Sequence, residues 1–151
     1  MFPIAQKVFR LVISAFVERY KDMQITVVAG IESRGFIFAA PIALGLKVPF
    51  TPLRKPGKLP CESVGIDIKS RGDFGKDRLE CMEKGFRQGD RVLVIDDMLG
   101  SGKTLMGACD LTAMFGAQVV ECAVVTELKG MRGRENLQDM KVYVLLEDAV
   151  S

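Results

Sequence analysis

Residues 92–105 read VLVIDDMLGSGKTL, and this stretch limits the fold more than any other. Four aliphatic residues in a row, Val92 to Ile95, show no alternation of apolar and polar side chains, as in a strand buried on both faces. Two aspartates end the run, a loop of small residues follows, and KTLMGACDLTAMFGA then has the pattern of a helix closed by Gly116. A doubly buried strand running into a helix belongs in a parallel sheet covered on both sides.

The rest of the chain repeats that alternation. Ile4, Val8, Leu11, Val12, Ala15 and Phe16 form the apolar stripe of an amphipathic helix that runs to Tyr20. ITVVAGI is a β-branched strand ending in glycine, SRGFIFAAPIALGL a helix, and VPFTPLR a strand whose prolines suit an edge or a strand end. QVVECAVVTEL and VYVLL complete the strands, whereas DRLECMEKGF fits a strand or a short helix equally well. Between them, KPGKLPCESVGIDIKSRGDFG has many glycines and prolines and no sustained period. It reads as a long mobile loop over about 56–75, with room for short extended pieces, and loops of that length inside compact domains are usually functional. The expectation is one α/β domain over 1–151, with a central, mainly parallel sheet flanked by helices. Ligands of such sheets sit at the carboxyl ends of the strands.

Composition excludes several classes. The 151 residues include 48% hydrophobic side chains, enough for an ordinary core, and a net charge of +2 leaves no broad basic surface for nucleic acid. No apolar run reaches transmembrane length, and Lys7 and Arg10 interrupt the first helix, so the expectation is a cytoplasmic protein without a membrane partner. The sequence contains no histidine, which removes His-based triads and His-ligated metals. Its four cysteines are far apart with no C-x-x-C pair; Cys109 and Cys122 fall in apolar patterns and read as buried small hydrophobes, Cys61 as a loop residue.

The Gly-Lys-Thr ending tests for a nucleotide-triphosphate loop, which needs G-x-x-x-x-G-K-[ST]. Counting back from Gly102 places Asp97 where the first glycine should stand, so a P-loop hydrolase is the weakest of the readings carried. Adjacent carboxylates suit ribose hydroxyls instead, while Gly100, Ser101, Gly102, Lys103 and Thr104 can turn backbone N–H groups to a phosphate at a helix N-terminus. Together they describe a site for a ribose 5-phosphate.

This stretch resembles the phosphoribosyl diphosphate (PRPP) signature of the type I phosphoribosyltransferases. VVAGIESRGFIF, PLRKPGKLP and ELKGMRGRENL resemble three further signatures of the adenine-specific members, in the same order, and the likeness spans roughly residues 8–147. It implies a Rossmann-like type I phosphoribosyltransferase fold, transfer of ribose phosphate from PRPP to adenine to give AMP and diphosphate in purine salvage, a magnesium cofactor and a homodimer.

The same resemblance assigns roles. Asp96 and Asp97 would hold the ribose hydroxyls and meet magnesium indirectly, through substrate or water. Gly100 to Thr104 would hold the 5-phosphate, although Ser101 and Lys103 replace the commoner Thr and Gly. Ser33 and Arg34 would meet the diphosphate, in a turn that carries a strained peptide in several members; the residues alone favour instead a Ser33 cap on the next helix beside a solvated Arg34. Arg54, Lys55 and Lys58 would clamp the leaving diphosphate, with Arg54 and Lys58 catalytic, where a solvated loop is the plain alternative. Asp73, in DFG, matches a glutamate that exchanges a proton with the base, and reads otherwise as a turn residue.

Family members usually carry about thirty residues before the first helix seen here, including part of the base pocket. The expectation is therefore that this hood segment is largely missing and that the PRPP site is better preserved than the base site. The alternative function is a catalytically weak or inactive paralogue that binds PRPP or AMP, or pairs with an active homologue.

Overall fold

The computed structural model describes residues 2–68 and 77–147. Helix α1 (Phe2–Tyr20) leads into strand β1 (Val27–Ile31), helix α2 (Gly35–Leu46) and strand β2 (Phe50–Leu53). Two short strands, β3 (Ser63–Asp67) and β4 (Arg78–Met82), come next, then β5 (Arg91–Leu99), helix α3 (Lys103–Met114) and β6 (Gln118–Glu127). A 3-10 turn at Lys129–Met131, the single-turn helix α4 (Gly133–Asn136) and β7 (Val142–Leu146) follow. Five strands form one sheet in the order β2-β1-β5-β6-β7, every pairing parallel. The expected sheet is thus present, and the Pro-containing β2 lies at its edge, where a missing N–H costs no ladder bond.

Alternation along the strands sorts side chains between two cores. Val28, Leu93, Ile95 and Ala123 face α1 and α2, packing with Phe16, Tyr20, Ala39 and Ile42. Val27, Ala29, Val92, Val94, Cys122 and Val124 face α3, packing with Leu105, Ala108, Cys109 and Leu111. Val92 to Ile95 are all fully buried, as the unbroken apolar run requires. α3 ends at Met114, and Gly116 makes the turn with φ +71°. Among the described residues no helix is long and apolar enough to cross a membrane.

Two segments clarify the sequence reading. DRLECMEKGF contributes a strand, β4, and the stretch read as loop includes β3; the two pair antiparallel from Ser63↔Met82 to Asp67↔Arg78. This small sheet joins the main one where Arg54 and Glu80 exchange both backbone hydrogen bonds at 2.8 Å. The cysteines behave as small hydrophobes where expected: Cys109 and Cys122 are buried with their Sγ atoms 3.6 Å apart, and Cys61 is exposed. Burial pushes the Cys81 thiol up to about 12, so it stays protonated and inert.

One irregularity orients α1. Val119 pairs with Val92 but Glu121 pairs with Leu93, so Val120 is an extra residue in β6. Unbulged pairing that kept Val119 opposite Val92 would turn Glu121 toward α3; the bulge turns it toward α1. There the Tyr20 hydroxyl donates to Glu121 Oε2 at 2.5 Å, and Arg19 donates through Nε and Nη2 at 3.0 and 3.1 Å. Burial, and secondly this hydrogen bond, raises the Tyr20 phenol above its ordinary range, so it remains a donor. The Arg19 guanidinium also lies 3.9 Å from the Tyr143 ring centroid. Tyr20→Phe is expected to cost about 1–2 kcal/mol of unfolding free energy, and Glu121→Ala about 3 kcal/mol because it strands a buried hydroxyl and an arginine. Urea denaturation measures both, and a Glu121→Ala protein as stable as wild type would refute the anchoring role.

Candidate functional site

The loops after β1, β2 and β5 leave the same edge of the sheet, at the carboxyl ends of three adjacent strands. Two ion pairs tie them together. Arg34 Nε lies 2.8 Å from Asp97 Oδ2, linking the β1 loop to the end of β5. Glu32 accepts from Arg54 Nε and Nη2 at 3.3 and 3.1 Å and from the Lys55 amide at 2.9 Å, linking the β1 loop to the end of β2. Arg54 holds the Glu32 carboxyl below its usual range. The Arg54 Nη1 group also donates to the Lys58 carbonyl at 2.7 Å, while the Lys55 and Lys58 side chains are exposed.

α2 starts directly against the end of β5. A methyl group on Gly35 would sit 3.1 Å from Asp96 Oδ1 and 3.0 Å from the Ile95 carbonyl oxygen, so no larger residue fits this approach without a shift. The N-terminal flanking residue is Arg34, with no side-chain cap, and Arg34 reaches Asp97; a Ser33 cap is not formed. The Glu32–Ser33 peptide bond is cis.

After Leu99 the chain turns through Gly100, Ser101 and Gly102 into α3. Gly102 has φ +77°, and α3 begins without a side-chain cap, at the end of a helix where the dipole is positive. A cavity of about 120 Å³ lies there, lined by Asp96, Met98, Gly100, Ser101, Gly102 and Thr104 together with two leucines. Lys103 follows at the first position of the helix. The structure therefore gathers Asp96, Asp97, Ser33, Arg34, Arg54, Lys55, Lys58 and the 100–104 loop at one edge. Asp73 lies outside the described residues. The sequence reading missed Glu32, which sits inside the quoted ESRG stretch but whose partner is 22 residues away.

Asp96 is the most perturbed acid of the site. Burial raises its carboxyl to about 7; the Asp97 charge adds to the rise, while the Asp97 N–H donated to Oδ1 at 2.8 Å and the Arg34 charge oppose it. Such placements cluster at functional sites. Among the described residues no group of three or more His, Cys, Asp or Glu is arranged to hold a metal ion. The sign of the pH effect follows from linkage. With a folded pKa about 7 and an unfolded value near 3.9, the folded state binds more protons between those values, so stability falls as pH rises through that window. Asp96→Asn removes the cost and still accepts the Asp97 N–H. In metal-free buffer at pH 8 it is expected to raise the melting temperature by about 5 °C, with the advantage shrinking toward pH 5. Identical pH dependence in the two proteins would show that the carboxylate is not destabilised.

Comparison with known proteins agrees with this geometry. Residues 3–150 match the model of the phosphoribosyl transferase domain. Adenine phosphoribosyltransferase 4 of Arabidopsis thaliana is 49% identical over 141 residues, covering 93% of this chain and 76% of the plant protein. The crystal structure of adenine phosphoribosyltransferase from Thermoanaerobacter pseudethanolicus superposes with a TM-score of 0.86 at 32% identity, covering 94% of this chain and 81% of that one. That of the Trypanosoma brucei enzyme, in complex with AMP, pyrophosphate and ribose-5-phosphate, superposes with a TM-score of 0.88 at 26% identity, covering 97% and 67%. With two thirds or more of each relative covered and a family model spanning nearly the whole chain, the protein belongs to the phosphoribosyltransferase family, among its adenine phosphoribosyltransferases.

Proposed function

We propose that the protein joins adenine to the ribose 5-phosphate of PRPP, giving AMP and diphosphate. The observation that carries this reading is the convergence of three loops, held by the Arg34–Asp97 and Arg54–Glu32 ion pairs, beside an uncapped helix N-terminus. Asp96 and Asp97 accept hydrogen bonds from the ribose hydroxyls, and Gly100 to Thr104 surround the 5-phosphate. Ser33 and Arg34 meet the diphosphate, and Lys55 and Lys58 bring exposed ammonium groups to it. Arg54 joins them in orientation set by Glu32.

In the reaction, adenine N9 forms a bond to the anomeric carbon as the bond from that carbon to the diphosphate oxygen breaks. The N9 proton passes to a base, for which Asp73 is the candidate, and the negative charge leaves with the diphosphate. The residues of the site contribute mainly by holding the reactants in line and by meeting the departing charge with fixed cations. The two hard carboxylates, Asp96 and Asp97, would suit magnesium delivered with the substrate, holding it indirectly as befits an ion that keeps much of its hydration. When bound, magnesium neutralises part of the diphosphate charge. The working form in this reading is a cytoplasmic homodimer in which a loop cation reaches across the interface.

A steady-state assay with magnesium, PRPP and labelled adenine, run beside hypoxanthine and guanine, tests the reading. AMP is the expected product. PRPP binding without nucleotide from any base would instead identify a binding relative without turnover. The double substitution Asp96→Asn with Asp97→Asn is expected to weaken PRPP binding at least about a hundredfold, since each lost charged acceptor is worth about 1.5–3 kcal/mol; unchanged affinity by calorimetry would remove the assignment. Asp73→Ala is expected to lower kcat more than it weakens PRPP binding, and equal losses would make Asp73 a loop residue only.

A further inference from the structure

The segment ELKGMRGRENL has no role in the reaction as described, yet its centre lies against the back of the phosphate loop. Asn136 Nδ2 donates to the Ser101 carbonyl oxygen at 2.6 Å. The two backbones touch nearby: a methyl group on Gly133 would collide with the Gly100 carbonyl, and one on Gly102 with the Gly133 carbonyl. None of residues 133–136 lines the 120 Å³ cavity, so α4 stands behind the loop. α4 is itself anchored. Arg134 bonds the buried Glu127 carboxylate at the end of β6 through Nε at 3.0 and 3.1 Å and through Nη2 at 3.0 Å, and Leu137 is buried.

The Ser101–Gly102 peptide is trans, and in a planar trans peptide the carbonyl and the N–H point in opposite directions. Tying the Ser101 carbonyl to Asn136 therefore turns the Gly102 N–H away from α4 and toward the cavity. We propose that Asn136 is a positioning residue for the 5-phosphate: its side-chain amide sets the Ser101–Gly102 peptide so that the Gly102 N–H is aimed at a phosphate monoester oxygen before the ligand arrives. The inference rests on the reading of 100–104 as the 5-phosphate loop. A donor fixed in advance loses little freedom on binding, which is where the affinity comes from.

Calorimetry with two probes tests it: ribose 5-phosphate, which needs this loop, and inorganic diphosphate, which meets the β1 and β2 loops. Asn136 is exposed, so Asn136→Ala leaves no cavity in the core. Asn136→Ala and Asn136→Asp are expected to weaken ribose 5-phosphate about tenfold, leave diphosphate within about twofold and keep the melting temperature. Asn136→Gln, which retains the donor, regains part of the loss, and KM for PRPP rises while kcat holds. Unchanged ribose 5-phosphate affinity in Asn136→Ala, or equal losses for both probes with a lower melting temperature, would overturn the proposal. Wild-type protein that binds neither probe would sink the phosphate-loop reading beneath it.

Discussion

Strand β5 has to be hydrogen-bonded on both edges and covered on both faces, because Val92 to Ile95 offer water nothing but aliphatic surface. Its neighbours β1 and β6, the helices α1 and α2 on one side and α3 on the other all answer that demand. The strand can carry polar chemistry only where it leaves the core. Asp96 and Asp97 stand where β5 passes beyond its pairing with β1, before the buried Leu99, and the parallel arrangement brings the ends of β1 and β2 alongside. The location of the site is thus a consequence of how one apolar run is buried.

The same features decide what could be read from the residues. Long apolar runs bounded by glycine specify a parallel sheet locally, and the prolines in and before β2 announce an edge, so the sheet was legible in advance. The position of Asp96, Asp97 and the 100–104 loop at the carboxyl end of a buried strand was legible for a similar reason, since strand, acids and loop are adjacent in the chain. The β3–β4 pair was not, because Val64 and Ile66 alternate with a serine, a glycine and an aspartate over too short a span to stand out. Nor were Glu32–Arg54 and Asn136–Ser101, whose partners are 22 and 35 residues apart and meet only once the sheet exists. The Val120 bulge is invisible for another reason: VVECAVV satisfies either register until α1 supplies partners for Glu121.

Burial and charge pull against each other at β5. A carboxyl whose charge is disfavoured by burial weakens the fold near neutral pH, and the compensation is distributed around it: the Asp97 amide and Arg34 favour the ionised form, while α2 is packed close through Gly35. The 100–104 loop is supported differently. Its back is held by contacts from the segment after β6, including the Asn136 amide on the Ser101 carbonyl.

The two ion pairs at the sheet edge also carry topological information. The turn after β1 presents a negative charge, Glu32, to β2 and a positive charge, Arg34, to β5, and each neighbour brings the opposite sign. Exchange β2 and β5 across β1, and Arg54 would face Arg34 while Asp97 would face Glu32. Four charges therefore act as an address for strand order, adding a penalty for the mirror arrangement to those that Pro52 of β2 and the doubly buried run of β5 already impose.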